Sequence, residues 1–166
     1  MGEVKDDIKI RYTEPGDAKY LKEWLSDPEV MRWFPMANEA EINDAVARWI
    51  GFCKFKCSLT AEIDDIPCGI STLYLQPYKK LAHQCEFGII IGTGNRGKGV
   101  GTTILNNLMH LAKEHFKIEL LHLQVYQGNP ATTLYKRFGF REYGRQTHWI
   151  KESGEYVGRV FMERFL

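Results

Sequence analysis

No apolar run in the 166-residue sequence approaches the roughly 18 residues that a membrane span requires. The longest, residues 87–91, sits inside a strand-like pattern. The start, MGEVKDD, carries acids where an export signal carries a basic stretch and an apolar core, and Asp6 stands where a myristoylation site of Met1-Gly2 needs Ser or Thr. No Asn is followed two places on by Ser or Thr, so glycosylation is not expected. A cytoplasmic protein without a membrane partner is the expectation. Cysteine is scarce: Cys53, Cys57, Cys68 and Cys85 form no C-x-x-C, and the five histidines form no H-E-x-x-H, so no metal site is expected and the thiols read as reduced packing residues. An excess of one charge is also missing. Lys and Arg number 22 against 21 Asp and Glu, a net charge of +1, which gives no overall basic field for nucleic acid. No repeat, low-complexity tract or Pro/Gly/Ser-rich linker breaks the chain, so residues 1–166 read as a single domain. Hydrophobic residues at 44% and charged ones at 26% exclude a disordered, collagen-like or coiled-coil chain.

What is present is a mixed α/β pattern. Alternating Ile8, Ile10 and Tyr12 predict a strand, and Ala18, Leu21, Trp24 and Leu25 the apolar face of a helix from about Asp17. After an aromatic connector, residues 31–35, a second helix follows from Ile42, Val46, Trp49, Ile50 and Cys53. Leu59, Ala61 and Ile63 alternate up to the turn signal Asp64-Asp65-Ile66-Pro67, and a further strand spans about 68–75. Residues 83–91 form a strongly β-prone strand that runs into a glycine-dense segment at 92–101. Ile104, Leu105, Leu108, Leu111 and Ala112 mark the next helix, and residues 118–126 return as a strand. Asn129 can cap a fourth helix, with Pro130 in its first turn and Gly139 at its end. Residues 140–150 and 155–165 then flank Glu152-Ser153-Gly154 as a long hairpin. These elements predict a mixed, mostly antiparallel sheet of about seven strands with four helices.

A strand that ends in glycines and opens a helix presents bare backbone N–H groups and the positive end of a helix dipole, which suits an anion. Gly92, Gly94 and Gly97 match G-x-G-x-x-G, but the next strand ends in Tyr126-Gln127 without the acid that a dinucleotide fold needs. Gly92 through Lys98 match a nucleotide P-loop except that Gly99 replaces the magnesium-binding Ser or Thr. A tight turn with nothing bound would use glycine as well. The third match, Arg96-Gly97-Lys98-Gly99-Val100-Gly101, reads as R-x-x-G-x-G and lacks no part.

This motif, with Asn129-Pro130-Ala131-Thr132-Thr133-Leu134-Tyr135-Lys136-Arg137-Phe138-Gly139-Phe140 after it, resembles the GNAT superfamily of acyl-CoA-dependent N-acyltransferases. The element order agrees over nearly the whole chain, and the last hairpin looks like the branch of ribosomal-protein N-terminal and small-amine or amino-acid acetylases. The resemblance implies a GNAT fold and acetyl-CoA as co-substrate, with no metal, and the protein acting as a monomer or homodimer. It points to Arg96, Gly97, Lys98, Gly99, Val100, Gly101 and Thr102 for the diphosphate. Ile89, Ile90 and Ile91 would run beside the pantetheine arm on a strand splayed from residues 118–126, and Asn129 and Lys136 would complete the coenzyme site.

The resemblance further implies Tyr135 as general acid toward the sulfur and Glu86 as the group that deprotonates the amine. A tyrosine packed on the sheet and a hydrogen-bonded strand glutamate are the alternative readings of these two residues. Alternation with Cys85 and Phe87 turns Glu86 to the opposite side of its strand, and burial there would need a reason. For the acceptor, a small amine, an amino acid or a protein N-terminus, the resemblance suggests Trp33, Phe34, Glu39, Tyr143, His148 and Tyr156, although aromatics at such spacing also build cores. Gly158 stands where compared relatives carry an acid. The competing class is a non-catalytic acyl-CoA-binding sensor, against which the pairing of Tyr135 with Glu86 argues.

Overall fold

The computed structural model describes residues 7–166; the readings of Met1-Gly2 and of the acidic start through residue 6 lie outside them. The elements are β1 (Ile8–Tyr12), α1 (Ala18–Leu25), α2 (Pro28–Met31), α3 (Glu39–Gly51), β2 (Ser58–Ile63), β3 (Ile66–Tyr74), β4 (Gln84–Ile91), α4 (Val100–His110), β5 (Leu120–Tyr126), α5 (Ala131–Arg137), β6 (Arg141–Glu152) and β7 (Glu155–Phe165). The sheet order is β1-β2-β3-β4-β5-β7-β6, and among these neighbours only β4 and β5 run parallel. This is the expected mixed seven-stranded sheet. The helix number differs from the expected four because α2 forms before the aromatic connector. Its Asp27 side chain accepts from the Glu29 amide while Pro28 occupies the first turn, two start signals inside a single turn of chain.

Turn chemistry sets both tight hairpins. Asp64 and Asp65 at φ 52° and 62°, and Ser153 and Gly154 at 51° and 81°, take the paired left-handed conformations that match strand twist. Only Asp64 and Asp65 turn, so β3 starts at Ile66, earlier than expected. Pro67 is accommodated where the β2–β3 register shifts between Ala61 and Glu62.

Strand alternation divides the core between the two faces of the sheet. Leu21, Trp24, Leu25, Ile42 and Val46 pack on Ile70 and Ile90. Ile104, Leu105 and Leu108 of α4, with Tyr135 of α5, pack on Leu59, Phe87, Leu121, Leu123 and Met162. Cys57, Cys68 and Cys85 are buried and free, and burial pushes their thiols up to about 11, 11 and 12. No helix among the described residues is long and apolar enough to cross a membrane, and no group of three or more His, Cys, Asp or Glu residues is arranged to hold a metal ion.

One partly buried ionic cluster anchors the helical layer. Arg11 donates to both oxygens of Asp17 at 2.8 Å and to Glu62 at 2.6 Å, and the Glu14 amide and Thr60 hydroxyl also donate to Asp17. Burial works to raise the Asp17 carboxyl, but the hydrogen bonds from Arg11, Glu14 and Thr60 outweigh it and hold the group below its ordinary value. A carboxyl with a depressed folded value stabilises the fold above its unfolded value of about 3.9, and that contribution is lost as pH falls through the folded value. Asp17→Asn is therefore expected to lower stability by about 2 kcal/mol at neutral pH and to flatten the acid limb of stability. Urea denaturation at several pH values reads both, and an unaltered acid limb would contradict the ionic role.

Candidate active site

β4 and β5 open from one another along their length. They pair only at Gln84↔Leu120, Cys85↔Leu121 and Glu86↔His122, leaving residues 87–91 and 123–126 without ladder bonds to each other. Parallel strands that lose their ladder expose an edge of backbone amide groups, and residues 88–91 remain fixed on their other side by β3. The expected splay of this strand pair is present in the register.

The glycine segment continues from this edge. Gly94, Gly97 and Gly99 have φ of 84°, 77° and 83°, conformations that side chains with a Cβ rarely adopt. Gly99 is the N-cap of α4 and brings no capping side chain, so the first-turn amides face outward as helix geometry requires. They face a cleft of about 510 Å³, lined by Arg96, Gly97, Gly99, Val100, Gly101 and Thr102, by Ile89, Ile90 and Ile91 of β4, and by Asn129, Tyr135 and Arg137. The loop is held from behind by tight packing: a Cβ on Gly92 would stand 2.6 Å from Trp24 Nε1. Asp27 braces it from α2. A hydrogen bond from Thr93, the Glu29 amide and the nearby charge of Arg96 hold its carboxyl below the usual range.

Two residues expected in this cleft stand outside its lining. Lys98 and Lys136 are both exposed, and neither is among the residues that line the cleft. On α5 the inward stripe runs through Ala131, Leu134 and Arg137 at three-residue steps, so Arg137 takes the place expected of Lys136, and its guanidinium reaches Thr102 Oγ1 at 3.4 Å. Pro130 is the N-cap of this helix, and Asn129, one residue before it, accepts through Oδ1 from the Ala131 amide at 3.0 Å.

A second cavity of about 260 Å³ adjoins the first and shares Trp33, Phe34, Ile89, Asn129 and Tyr135 with it. Tyr135 comes from the α4–α5 side, packed edge-on against Phe87 and Phe140 at centroid distances of 6.0 and 6.2 Å. Through the gap between the splayed strands it lines both spaces. Burial pushes its phenol up to about 12, so it holds its proton at neutral pH.

Glu86 lines only the second cavity, from the face of β4 opposite Phe87. It is half-buried there. Gln124 on β5 donates from Nε2 to Glu86 Oε1 at 2.8 Å, and Gln124 Oε1 accepts in turn from Arg159. Beside Glu86, burial pushes the His122 imidazole down, against the charges of Glu86 and Glu163, which favours its neutral form. Burial and the Glu86 charge raise the Tyr74 phenol well above its ordinary value, so this hydroxyl is a neutral neighbour.

The walls of this cavity are aromatic. Trp33 and Phe34 line both spaces, and Trp49, Tyr74, Tyr126 and Trp149, which sequence reasoning did not single out, line the second. Gly88 lets Trp49 approach, since a Cβ there would lie 2.8 Å from its ring. Glu39 lies outside both cavities, exposed in the first turn of α3 with Lys22 at 3.3 Å. Tyr143 is exposed on β6 with its ring 5.8 Å from Phe161, and His148 and Tyr156 meet edge to face at 5.0 Å; none of the three lines either cavity. Alternation along the twisted β6–β7 ribbon turns Trp149 inward instead.

The acetyltransferase (GNAT) domain family matches residues 7–141. The L-amino acid N-acetyltransferase AaaT of Escherichia coli (strain K12) is 25% identical over 162 residues, covering 95% of this chain and 98% of that protein. Among solved structures, the ribosomal-protein-alanine N-acetyltransferase of Brucella melitensis superposes with a TM-score of 0.79 at 23% identity, over 95% of this chain and 99% of its own. A yncA structure from Salmonella typhimurium with its cofactor acetyl-CoA gives 0.79 at 16% identity, over 95% and 93%.

Proposed function

The chain belongs to the GNAT acetyltransferase family, and on that premise we propose that it moves the acetyl group of acetyl-CoA to a primary amine by direct attack in a ternary complex. The observation that carries this reading is the shared wall at Tyr135. A cleft opened by glycine-borne amides and an aromatic cavity holding a carboxylate adjoin with the Tyr135 phenol on their common wall, so a donor in the first and an acceptor in the second meet beside it.

The residues present suit acetyl-CoA. The amides at the start of α4, with Arg96 and Arg137, match a diphosphate, and the unpaired edge of residues 89–91 matches the amide-bearing pantetheine arm. Bound there, acetyl-CoA supplies an activated thioester carbonyl. The chain's own groups do the rest. Glu86 takes a proton from the acceptor ammonium, directly or through water, so that the neutral amine forms the new C–N bond. Backbone N–H groups on the open edge of β4 offset the charge that develops on the carbonyl oxygen. As the C–S bond breaks, Tyr135 gives its proton to sulfur. In this reading the acceptor is a small amine, an amino acid or a protein N-terminus.

Calorimetry with acetyl-CoA, followed by a free-thiol assay over amines, amino acids, peptides and polyamines, tests the reading. Binding with thiol release from at least one acceptor is expected, and binding with no release from any of them would favour an acyl-CoA sensor instead. The loop has its own test. Gly99 meets nothing within 4 Å of an added Cβ, so Gly99→Ala acts through its positive φ alone. A left-handed alanine costs about 1–2 kcal/mol, and the loop escapes that strain by turning its amides. Acetyl-CoA affinity is expected to fall about tenfold, with the folded state retained. Unchanged affinity would remove the loop from the donor site.

A further inference from the structure

Arg159 is a half-buried cation without a carboxylate partner among the described residues. Its guanidinium lies 4.7 Å from the Trp149 ring and 4.8 Å from Phe161, and it donates only to side-chain amide oxygens: to Gln146 at 2.9 Å and to Gln124. Register gives its direction. Arg159 on β7 pairs with Tyr126 on β5, and cross-strand partners project from the same face of a sheet, so Arg159 shares the face on which Tyr126 lines the second cavity. Of the groups that meet its guanidinium, Gln124 and Trp149 line that cavity, while Gln146 and Arg159 itself stand just outside its lining.

The Gln124 carboxamide therefore spans an anion and a cation. Its partners fix its orientation, because the Glu86 carboxylate can only accept and the Arg159 guanidinium can only donate. The amide N–H end faces Glu86 and the carbonyl end faces Arg159. An α-amino acid has the same polarity over a similar span, with an ammonium group at one end and a carboxylate at the other.

We propose that Arg159 holds the carboxylate of a free, apolar α-amino acid whose ammonium group faces Glu86, alongside Gln124 at the mouth of the aromatic cavity. This rests on the acetyl-transfer reading and narrows it. The planar fork of Arg159, already oriented by Trp149 and the two glutamines, pairs with a carboxylate through two parallel hydrogen bonds. The aromatic walls take the side chain. An amine or peptide N-terminus without an adjacent carboxylate leaves Arg159 with only its neutral partners.

The test is binding. Calorimetry on CoA-loaded protein compares L-leucine and L-phenylalanine with their amides, at a pH where every ammonium group is protonated. The wild-type protein is expected to bind each acid about tenfold or more tightly than its amide. In Arg159→Gln that ratio falls to near one, and in Arg159→Lys, which keeps the charge but not the fork, it lies between. Equal affinity for acid and amide in the wild type, no detectable binding of either acid, or an unchanged ratio in Arg159→Gln would overturn the assignment. The wild-type ratio decides even if a variant fails to fold. Thiol release in the same samples with acetyl-CoA reports on acetyl transfer separately, so failure of one reading is not mistaken for failure of the other.

Discussion

Tyr135→Phe is expected to lower kcat by about 10²-fold or more while the affinity for acetyl-CoA stays within about twofold of the wild type. The substitution removes one oxygen and keeps the ring against Phe87 and Phe140, so the core it helps to build is preserved. Burial pushes the phenol up to about 12, which makes it a weak acid toward a thiolate in water. A thiolate formed against the same apolar wall is destabilised by the same desolvation, so its proton affinity rises alongside that of the phenol and the transfer stays matched. Rapid-quench or steady-state thiol release, paired with calorimetry, separates the two quantities. Equal loss in kcat and in coenzyme affinity would assign Tyr135 a packing role.

Glu86→Gln is the second large effect. Glutamine keeps the shape and can still accept from Gln124 Nε2 through its own carbonyl, so the change isolates the negative charge and its capacity to take a proton. Turnover is expected to fall about 10²-fold, again with little effect on acetyl-CoA binding, because Glu86 lines the second cavity and not the first. Turnover that survives this substitution would leave proton removal to solvent or to a neighbouring group. In either outcome the comparison with Tyr135→Phe is informative. The residues lie on opposite faces of the sheet, so a shared loss of turnover reflects a shared reaction and not a shared packing cluster.

Several parts of the site were legible because they are local. The run from Arg96 to Gly101 determines its own backbone: glycines set the left-handed bends, and the helix that follows must present its first amides at that end. Asn129 accepts from the amide two residues on, where α5 begins. The fate of Lys136 and Arg137 was less legible. Both are basic and adjacent, and a rotation of one residue on the helix decides which of them faces the cleft. Glu39 and Tyr143 looked eligible by chemistry, but the first opens its helix toward solvent beside Lys22 and the second stands over Phe161.

The chain's own order of residues determined the strands, the helices, the two hairpin turns and the anion-facing loop, since each depends on neighbours within a turn or two of backbone. Only the tertiary structure decided that β5 would stand between β4 and β7. That insertion brings Gln124 to Glu86 and Arg159 to Gln124. It also leaves the gap through which Tyr135 reaches both cavities. The physical reason is that sheet neighbours are chosen by burying distant apolar faces together. Side chains far apart in sequence acquire a common site only after that burial has fixed which edges meet.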